Sequence, residues 1–282
     1  MKITRRKVLK TLGIGLGAGY VGLSGTWLYA TRLEVKRLRL ERVQVPLPSL
    51  PGSLDGLRIV LLSDFHLFPH TQIELIDAAV EMANECRPDL ALLGGDYVLS
   101  TAESIYELAP ALGRLDAKYG VFAVLGNHDH WKNADAVIDA LTRSGIHMLI
   151  NEGLTLPVGR QPLYLAGVDD GWVRRHDFEK ALANRNGEDP TLLLMHEPDF
   201  ADDFLADGRV LLQLSGHSHG GQVRFPFIGS PFLPPYGRKY DQGLYRVGQG
   251  WLYTNVGIGV TAPLRLNCPP EVTEVTLVSQ GG

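Results

Sequence analysis

Five short, mainly apolar runs in this chain each end in residues that can bind a metal ion or transfer a proton. The runs and the polar residues that follow them are 57–63 with Asp64 and His66, 90–93 with Asp96, 121–125 with Asn127, His128 and Asp129, 192–195 with His196, and 210–214 with His217 and His219. Such runs are typical of strands buried on both faces of a sheet. Because helical patterns alternate with them, the chain is predicted to be an α/β protein.

Histidine is concentrated at these strand ends. Five of the nine histidines in the chain lie there, namely His66, His128, His196, His217 and His219. A single histidine after a strand is more often a hydrogen-bonded structural residue than a ligand. If all five histidines were structural, their positions at strand ends would require five independent coincidences. The carboxyl ends of strands in an α/β sheet lie together at one rim, where sites form. The pattern therefore predicts a metal site.

The donor types narrow the metal chemistry. Imidazole and carboxylate without thiolate suit Mn, Fe, Zn or a similar divalent ion better than Ca²⁺. Cys86 and Cys268 have no CxxC spacing, which excludes a thiolate zinc site and leaves their pairing open. Seven of these nine side chains, taken as ligands, exceed the needs of one tetrahedral ion, so two ions that share a bridging carboxylate are the economical arrangement. Two ions about 3.5–4 Å apart serve the hydrolysis of phosphate esters.

The order of the blocks, Asp-x-His, Gly-Asp, Gly-Asn-His-Asp, His and Gly-His-x-His, resembles that of the calcineurin-like metallophosphoesterases over about residues 57–255. The resemblance implies a two-sheet β-sandwich flanked by helices, with two metal ions that assist phosphate ester hydrolysis. It implies that one ion is bound by Asp64, His66, Asp96 and His219, and that Asp96 bridges to a second ion bound by Asn127, His196 and His217. His128 would protonate the leaving group, and Asp129 would orient His128.

The N-terminus has the features of an export signal. Arg5 and Arg6 lie in a basic stretch that resembles the twin-arginine motif, an address for the export of folded proteins. The uncharged run 11–31 that follows is long enough to span a bilayer but is rich in glycine. We therefore expect a twin-arginine signal or membrane anchor over residues 1–31 and a phosphoesterase domain over 32–282. A Sec signal or simple anchor is the alternative, and cleavage of the signal stays open.

Two further stretches, 216–222 and 265–271, resemble a twin-arginine-exported bacterial phosphodiesterase branch of the family. That branch also resembles enzymes that cleave UDP-2,3-diacylglucosamine. The N-terminal stretch, which would tether the domain, and the apolar stretch 225–243 favour a phosphodiester or pyrophosphate substrate, lipid-linked in the second case. It would be met on the exported (periplasmic or extracytoplasmic) side of the cytoplasmic membrane. We expect a phosphodiesterase, since export would separate the enzyme from cytoplasmic nucleotide lipids.

Other functional classes fit less well. Residues 216–220 match the Gly-x-Ser-x-Gly elbow of serine hydrolases, but no histidine follows His219 to complete a triad. A non-catalytic metal-binding envelope protein would share the ligands, although it would not need His128 beside Asp129. Lys and Arg total 27 against 31 Asp and Glu, so no basic surplus favours nucleic acid as a partner.

Several weaker patterns complete the sequence-based expectations. Helices are predicted over 72–85, 102–112, 133–143 and 199–205, an edge strand over 33–45, and a further strand over 163–168 that ends at Asp169 and Asp170. His130 and Trp131 either line the site or pack at a helix start. Residues 174–176 either attract an anionic head group or are simply exposed. The proline- and aromatic-rich stretch 225–243 is either a substrate wall that touches lipid or a packed loop.

Overall fold

Two six-stranded β-sheets pack face to face in the computed structural model, which describes residues 19–48, 50–159 and 161–280. The first sheet has the spatial order β1 (Arg39–Pro48), β12 (Glu271–Gln280), β2 (Arg58–Leu62), β3 (Leu90–Leu93), β4 (Val121–Ala123) and β5 (His147–Met148). The second has the order β10 (Gly243–Val247), β11 (Gly250–Thr254), β9 (Leu212–Ser215), β8 (Thr191–Met195), β7 (Gln161–Val168) and β6 (Glu152–Val158). The predicted α/β fold with a two-sheet sandwich is confirmed.

Successive residues of the central strands face opposite sides of their sheet. Ile59 and Leu61 of β2 lie in the core between the sheets, where they meet residues such as Leu194 of β8. Val60 and Leu62 of β2 lie in a second core beneath the helices. All five side chains are fully buried. Burial on both faces explains why these strands have continuous apolar sequences.

Helices cover the outer faces of both sheets. The α-helices that follow β1 are α1 (Ile73–Glu85), α2 (Ile105–Leu112), α3 (Asn127–Lys132), α4 (Ala134–Arg143), α5 (Phe178–Leu182) and α6 (Ala201–Ala206). The first sheet is covered by α1, α2 and α4, and the second by α5 and α6. Four of these helices lie close to the predicted ranges, whereas α3 and α5 were not predicted. The short helix α3 follows β4 and contains the Asn-His-Asp block.

The beginning of the described chain is helical, which corrects part of the predicted edge strand. Residues 19–28 form a helix that continues as a π turn (Tyr29–Leu33) and a 3-10 turn (Glu34–Lys36). Adding a turn to an existing helix costs much less free energy than nucleating a new helix. The alternation of apolar and charged residues at Leu33 and Val35 therefore does not produce a strand. The strand β1 begins at Arg39 and does lie at a sheet edge.

Most of the predicted N-terminal signal lies outside the part of the chain that the structure describes. Arg5, Arg6 and residues 11–18 of the predicted signal lie outside the described residues. Among the helices of residues 19–48, 50–159 and 161–280, none has both the length and the apolar character needed to cross a bilayer.

The carboxyl ends of five central strands meet at one rim of the sandwich. Strands β2, β3 and β4 run parallel in the first sheet, and β8 and β9 run parallel in the second. A hydrogen bond joins the two sheets here, since Nδ1 of His196 donates to the carbonyl oxygen of Gly94 at 2.6 Å. The side chains that follow all five strands are therefore brought together.

Candidate metal centre

The turns at this rim hold five of the candidate ligands in a left-handed backbone conformation. The φ angle is 54° at Asp64, 44° at His66, 56° at Asp96, 69° at His217 and 54° at His219. Residues other than glycine rarely adopt such angles, and strain of this kind is concentrated at functional sites. The backbone is therefore bent so that these side chains point towards one another.

Two glycines allow the turns to approach the cluster closely. A side chain at Gly126 would overlap the carboxylate of Asp96, and one at Gly216 would overlap Ser63 and Asp64. At these two positions a glycine is needed for space around the carboxylates.

The first group of donors consists of Asp64, His66 and His219. Nε2 of His219 lies 3.0 Å from Nε2 of His66 and 3.3 Å from Oδ1 of Asp64. All three side chains are buried. Their ligand atoms lie within 4.8 Å of one another, a spacing that lets them share one cation.

The second group of donors consists of Asp96, His196 and His217, whose ligand atoms again lie within 4.8 Å of one another. Oδ2 of Asp96 is 3.3 Å from Nε2 of His196 and 3.5 Å from Nε2 of His66. The same carboxylate oxygen therefore lies between the two groups. This position is the one that a bridging ligand requires.

Oδ1 of Asn127 and Nε2 of His196 are among the buried atoms at the site that have no hydrogen-bond partner within the described residues. Buried polar atoms are rarely left unpaired, so both atoms need a ligand. Together with the buried carboxylates of Asp64 and Asp96, they form a donor set of imidazole, carboxylate and amide groups that fits divalent cations.

Backbone carbonyl groups fix the orientation of three of these imidazole rings. Nδ1 of His196 donates to Gly94, Nε2 of His217 donates to the carbonyl oxygen of Pro235 at 2.8 Å, and Nδ1 of His66 donates to that of Val98 at 3.4 Å. A histidine that donates through one ring nitrogen presents the lone pair of the other to a metal ion. These carbonyl partners were not identified from the sequence, because they lie on other loops.

Asp64 is held from two sides. Oγ of Ser63 donates to Oδ2 of Asp64 at 2.6 Å, and the backbone N–H of His217 donates to the same oxygen at 2.9 Å. Burial raises the pKa of Asp64 to about 6, and the nearby imidazolium of His196 opposes this shift. The carboxylate therefore joins the turn after β2 to the turn after β9.

Burial also keeps two imidazole rings neutral. It lowers the pKa of His66 to about 4 and that of His217 to about 3. Burial acts in the same direction on His196, but the Asp96 carboxylate outweighs it and raises the pKa of His196 well above its ordinary value. The neutral rings of His66 and His217 have the free lone pairs that metal binding requires, whereas His196 would release a proton when it binds a metal ion.

His128 lies beside both donor groups. Its backbone N–H donates to Oδ1 of Asp96 at 2.8 Å, and its ring centroid is 4.7 Å from that of His66. Its Nδ1 is buried and has no hydrogen-bond partner within the described part of the chain.

No hydrogen bond joins Asp129 to the side chain of His128 in the described part of the chain. Within the described ranges its hydrogen bonds all go to backbone N–H groups, those of Asp96 and Gly126 at Oδ2 and those of Tyr97 and Val98 at Oδ1. The reason is that α3 begins at Asn127, so that Asp129 lies in its first turn. There its carboxylate accepts from Gly126 just before the helix and from the backbone of the turn after β3. Asp129 therefore orders two turns of the site, and its predicted role in orienting His128 would act through the backbone.

A cavity of about 680 Å³ opens above the donors. Asp96, His128 and His217 lie at its base, and Phe232, Leu233 and Pro234 form part of an apolar wall. The predicted substrate wall within 225–243 thus borders the site in part, whereas Tyr240 is buried.

Aromatic side chains line another part of this cavity. Trp131 packs at 4.8 Å from His128 and 5.1 Å from Trp172, measured between ring centroids. Trp172 was missed in the sequence because it follows no strand that ends in a ligand. Its backbone N–H donates to Oε1 of Glu197 at 2.6 Å, and Glu197 directly follows His196. These contacts join the aromatic lining to the metal centre.

The remaining candidates lie around the cavity. Nε2 of His130 is 2.7 Å from Oδ1 of Asp169, and both side chains are buried, so His130 packs and does not line the cavity. Asp170 is buried, and its Oδ1 accepts a hydrogen bond from the backbone N–H of Val173 at 2.7 Å. Residues 174–176 are exposed and lie outside the cavity lining.

The fold and the donor set define a class of protein: an α/β sandwich with a candidate centre for divalent metal ions. The model of the calcineurin-like phosphoesterase family matches residues 57–221, which is more than half of the chain. The chain therefore belongs to the calcineurin-like phosphoesterases, a family that uses divalent metal ions. The family predicted from the five sequence blocks is confirmed.

Individual relatives extend this similarity beyond the family match. The chain is 35% identical to the uncharacterized metallophosphoesterase YkuE of Bacillus subtilis (strain 168), over 99% of each chain. It is 34% identical to the phosphodiesterase YaeI of Escherichia coli (strain K12), over 78% of this chain and 82% of that protein. Among solved structures, TT1561 of Thermus thermophilus aligns over 72% of this chain and 90% of that one, with a TM-score of 0.49 and 14% identity.

Proposed function

We propose that the chain is a phosphodiesterase that uses two divalent metal ions, such as Mn, Fe or Zn. The observation that carries the proposal is the position of Oδ2 of Asp96 between Nε2 of His66 and Nε2 of His196. The two sets of ligands are Asp64, His66, Asp96 and His219 for one ion and Asp96, Asn127, His196 and His217 for the other. When bound, such a pair of ions supplies an activated hydroxide and neutralises charge on the phosphate.

His128 is the proposed general acid. Its ring lines the cavity beside Asp96, within reach of a phosphate bound at the donors. Burial lowers the pKa of His128, and the Asp96 carboxylate opposes that shift. The hydrogen bond from the backbone of His128 to Oδ1 of Asp96 holds the residue against the centre. Asp129 supports this arrangement by ordering the same turn.

The choice of a phosphodiester is supported by two observations. One relative that covers most of the chain is named a phosphodiesterase. The cavity also extends from the donors to the apolar wall of Phe232, Leu233 and Pro234, which leaves room for a second ester group. The wall also favours a second candidate, the cleavage of a lipid-linked nucleotide similar to UDP-2,3-diacylglucosamine.

The proposal includes a location. Arg5, Arg6 and the uncharged run 11–31 support export through the twin-arginine route. Residues 1–31 then act as a signal or anchor, and residues 32–282 work on the exported side of the cytoplasmic membrane. The same arrangement of an N-terminal signal and a following phosphoesterase domain is implied by the resemblance to the twin-arginine-exported branch of the family.

A comparison of substrates on the metal-reconstituted protein tests the function. The purified chain is stripped with a chelator, reloaded with Mn, Fe or Zn, and offered aryl phosphodiesters, aryl phosphomonoesters and UDP-linked lipids. We expect the diesters to be hydrolysed fastest. Monoester turnover far above diester turnover would contradict the proposal, and efficient lipid cleavage would favour the second candidate. Bound metal without turnover of any substrate would identify a non-catalytic metal-binding protein.

A further inference from the structure

The large apolar side chains exposed on the described residues are concentrated in two segments. Apart from Tyr106 and Trp131, they are Tyr20, Val21, Leu23, Trp27, Leu28 and Leu33 in the N-terminal segment, and Phe225, Phe227, Ile228, Phe232 and Tyr236 in a loop after the last candidate ligand. We call these two segments, 20–33 and 225–236, the apolar face. Phe227 is fully exposed and Ile228 is 79% exposed, so the tip of the loop does not pack on the protein.

Both segments leave the body of the protein at neighbouring points. The backbone N–H of Arg265 donates to the carbonyl oxygen of Ala30 at 3.0 Å, at the end of the N-terminal segment. The next residue, Leu266, donates to Gln222 at 2.8 Å and accepts from Arg224 at 2.9 Å, at the base of the loop. Consecutive residues therefore hold the two parts of the apolar face beside each other.

The apolar face borders the opening of the catalytic cavity. Phe232 belongs to the loop and to the cavity wall at the same time. Gln222 and Leu264, which lie next to the points of attachment, also line the cavity together with Asp96 and His219. A surface that covers the apolar face would therefore lie at the mouth of the site.

The chemistry of the apolar face fits a lipid bilayer better than a protein. Tyr20 and Trp27 are the aromatic types that are enriched at the boundary between lipid and water. Arg32, Lys36 and Arg37 are exposed at the C-terminal end of this apolar segment, and basic side chains are attracted to anionic head groups. The uncharged run 11–31 also begins before the described residues, so further apolar chain leads into this face.

We propose that the apolar face docks on a bilayer that contains anionic lipids and that the tip of the 225–236 loop enters the lipid. Docking places the mouth of the cavity at the level of the head groups, so that the site receives phosphodiesters carried by membrane lipids. This substrate class rests on the proposed function, whereas the docking itself is independent of any turnover.

Fluorescent labelling of the full-length chain in vesicles tests the docking. Cys86 and Cys268 are buried, so Ile228→Cys provides a single accessible thiol for an environment-sensitive fluorophore. Tyr106→Cys is the matched control, because Tyr106 is an exposed apolar residue on α2, away from the apolar face. Vesicles contain phosphatidylethanolamine and phosphatidylglycerol in equal amounts. We expect the label at position 228 to shift to shorter wavelength and to be quenched by nitroxide-bearing lipids, with neither effect at position 106.

Several outcomes would overturn the docking. The docking would be refuted if the chain sediments with vesicles while the label at position 228 stays in water. Equal spectral shifts at positions 228 and 106 would also refute it. A shift at position 228 that depends on chain concentration without lipid would show that a second copy covers the face. Equal quenching in phosphatidylcholine vesicles would refute the role of anionic lipid. Turnover of soluble aryl phosphodiesters by the unlabelled chain separates failure of docking from failure of the proposed function.

Discussion

The two carboxylate oxygens of Asp96 have different partners. Oδ2 faces the imidazoles of His66 and His196, whereas Oδ1 accepts the backbone N–H of His128 at 2.8 Å. One oxygen is thus free to bridge two cations while the other positions the proposed general acid. An asparagine at position 96 could keep the hydrogen bond from the backbone N–H of His128 but could not neutralise two cations.

The substitution Asp96→Asn tests the bridge. We expect loss of at least one ion and of most of the turnover, because a neutral amide replaces the carboxylate between the two donor groups. Elemental analysis gives the metal content, and hydrolysis of an aryl phosphodiester gives the rate. Asp203→Asn, at an exposed aspartate on α6, is the control. Two retained ions with normal turnover would contradict the two-metal assignment.

The substitution His128→Ala separates metal binding from proton transfer. We expect the metal content to persist and kcat to fall by roughly 10²–10⁴-fold, which is the usual contribution of a general acid. His176→Ala, at an exposed histidine outside the cavity, controls for a general effect of losing an imidazole. Loss of metal from the His128 variant would instead make His128 a ligand.

Much of the candidate site could be predicted from the sequence because its residues directly follow apolar runs. Asp64, Asp96 and His196 are recognisable since each comes just after a buried strand. Their supporting contacts could not be predicted in this way. The carbonyl group of Pro235 reaches His217 only because a loop of irregular structure folds back over the rim. Trp172 likewise reaches the cavity from a turn that no periodic pattern specifies.

At the scale of elements, one carboxylate joins the turn after β3 to the start of α3. Asp129 accepts the N–H groups of Asp96 and Gly126 at 2.9 Å with one oxygen and that of Tyr97 at 2.9 Å with the other. These turns carry the bridging ligand and the proposed acid. Their geometry therefore depends on a residue that is neither a proposed metal ligand nor the proposed acid.

The substitution Asp129→Asn should destabilise the fold. One oxygen becomes an NH₂ group, which leaves buried backbone donors facing another donor at a cost of about 1–3 kcal/mol for each unpaired group. Urea unfolding of the metal-free protein measures the change in the free energy of unfolding. Asp177→Asn is the control, because an asparagine at the N-cap of α5 still accepts the hydrogen bond from Lys180. Equal stability of the two variants would contradict the ordering role of Asp129.

The elements that the sequence predicts well are those buried on both sides. For β3 the predicted and observed bounds agree, because every residue from Leu90 to Leu93 is fully buried and apolar. In contrast, β10 is only partly buried and has no such run. The helix α3 was missed since its polar sequence, Asn-His-Asp-His-Trp-Lys, lacks an apolar face and is fixed by tertiary contacts.

At the scale of the whole molecule, the proposed export route gives a test that leaves the folded domain untouched. Replacing Arg5 and Arg6 by lysine should leave the protein folded in the cytoplasm, because a receptor that reads a twin-arginine pair would no longer recognise the signal. Cell fractionation with a phosphodiesterase assay measures the distribution. Arg32→Lys, which makes the same change beyond the pair, should be exported normally. Export of the lysine-pair variant would point to the Sec route.

The proposed ligands come from both sheets, with Asp64, Asp96 and Asn127 after strands of the first and His196 and His217 after strands of the second. An ion held between them is a cross-link that the unfolded chain lacks. Such binding stabilises the folded state by about 2.7 kcal/mol when free metal exceeds its dissociation constant a hundredfold. The thermal midpoint, measured at a series of metal concentrations, therefore reports metal binding. Melting experiments alone can then rank the affinities for different ions before any substrate is known.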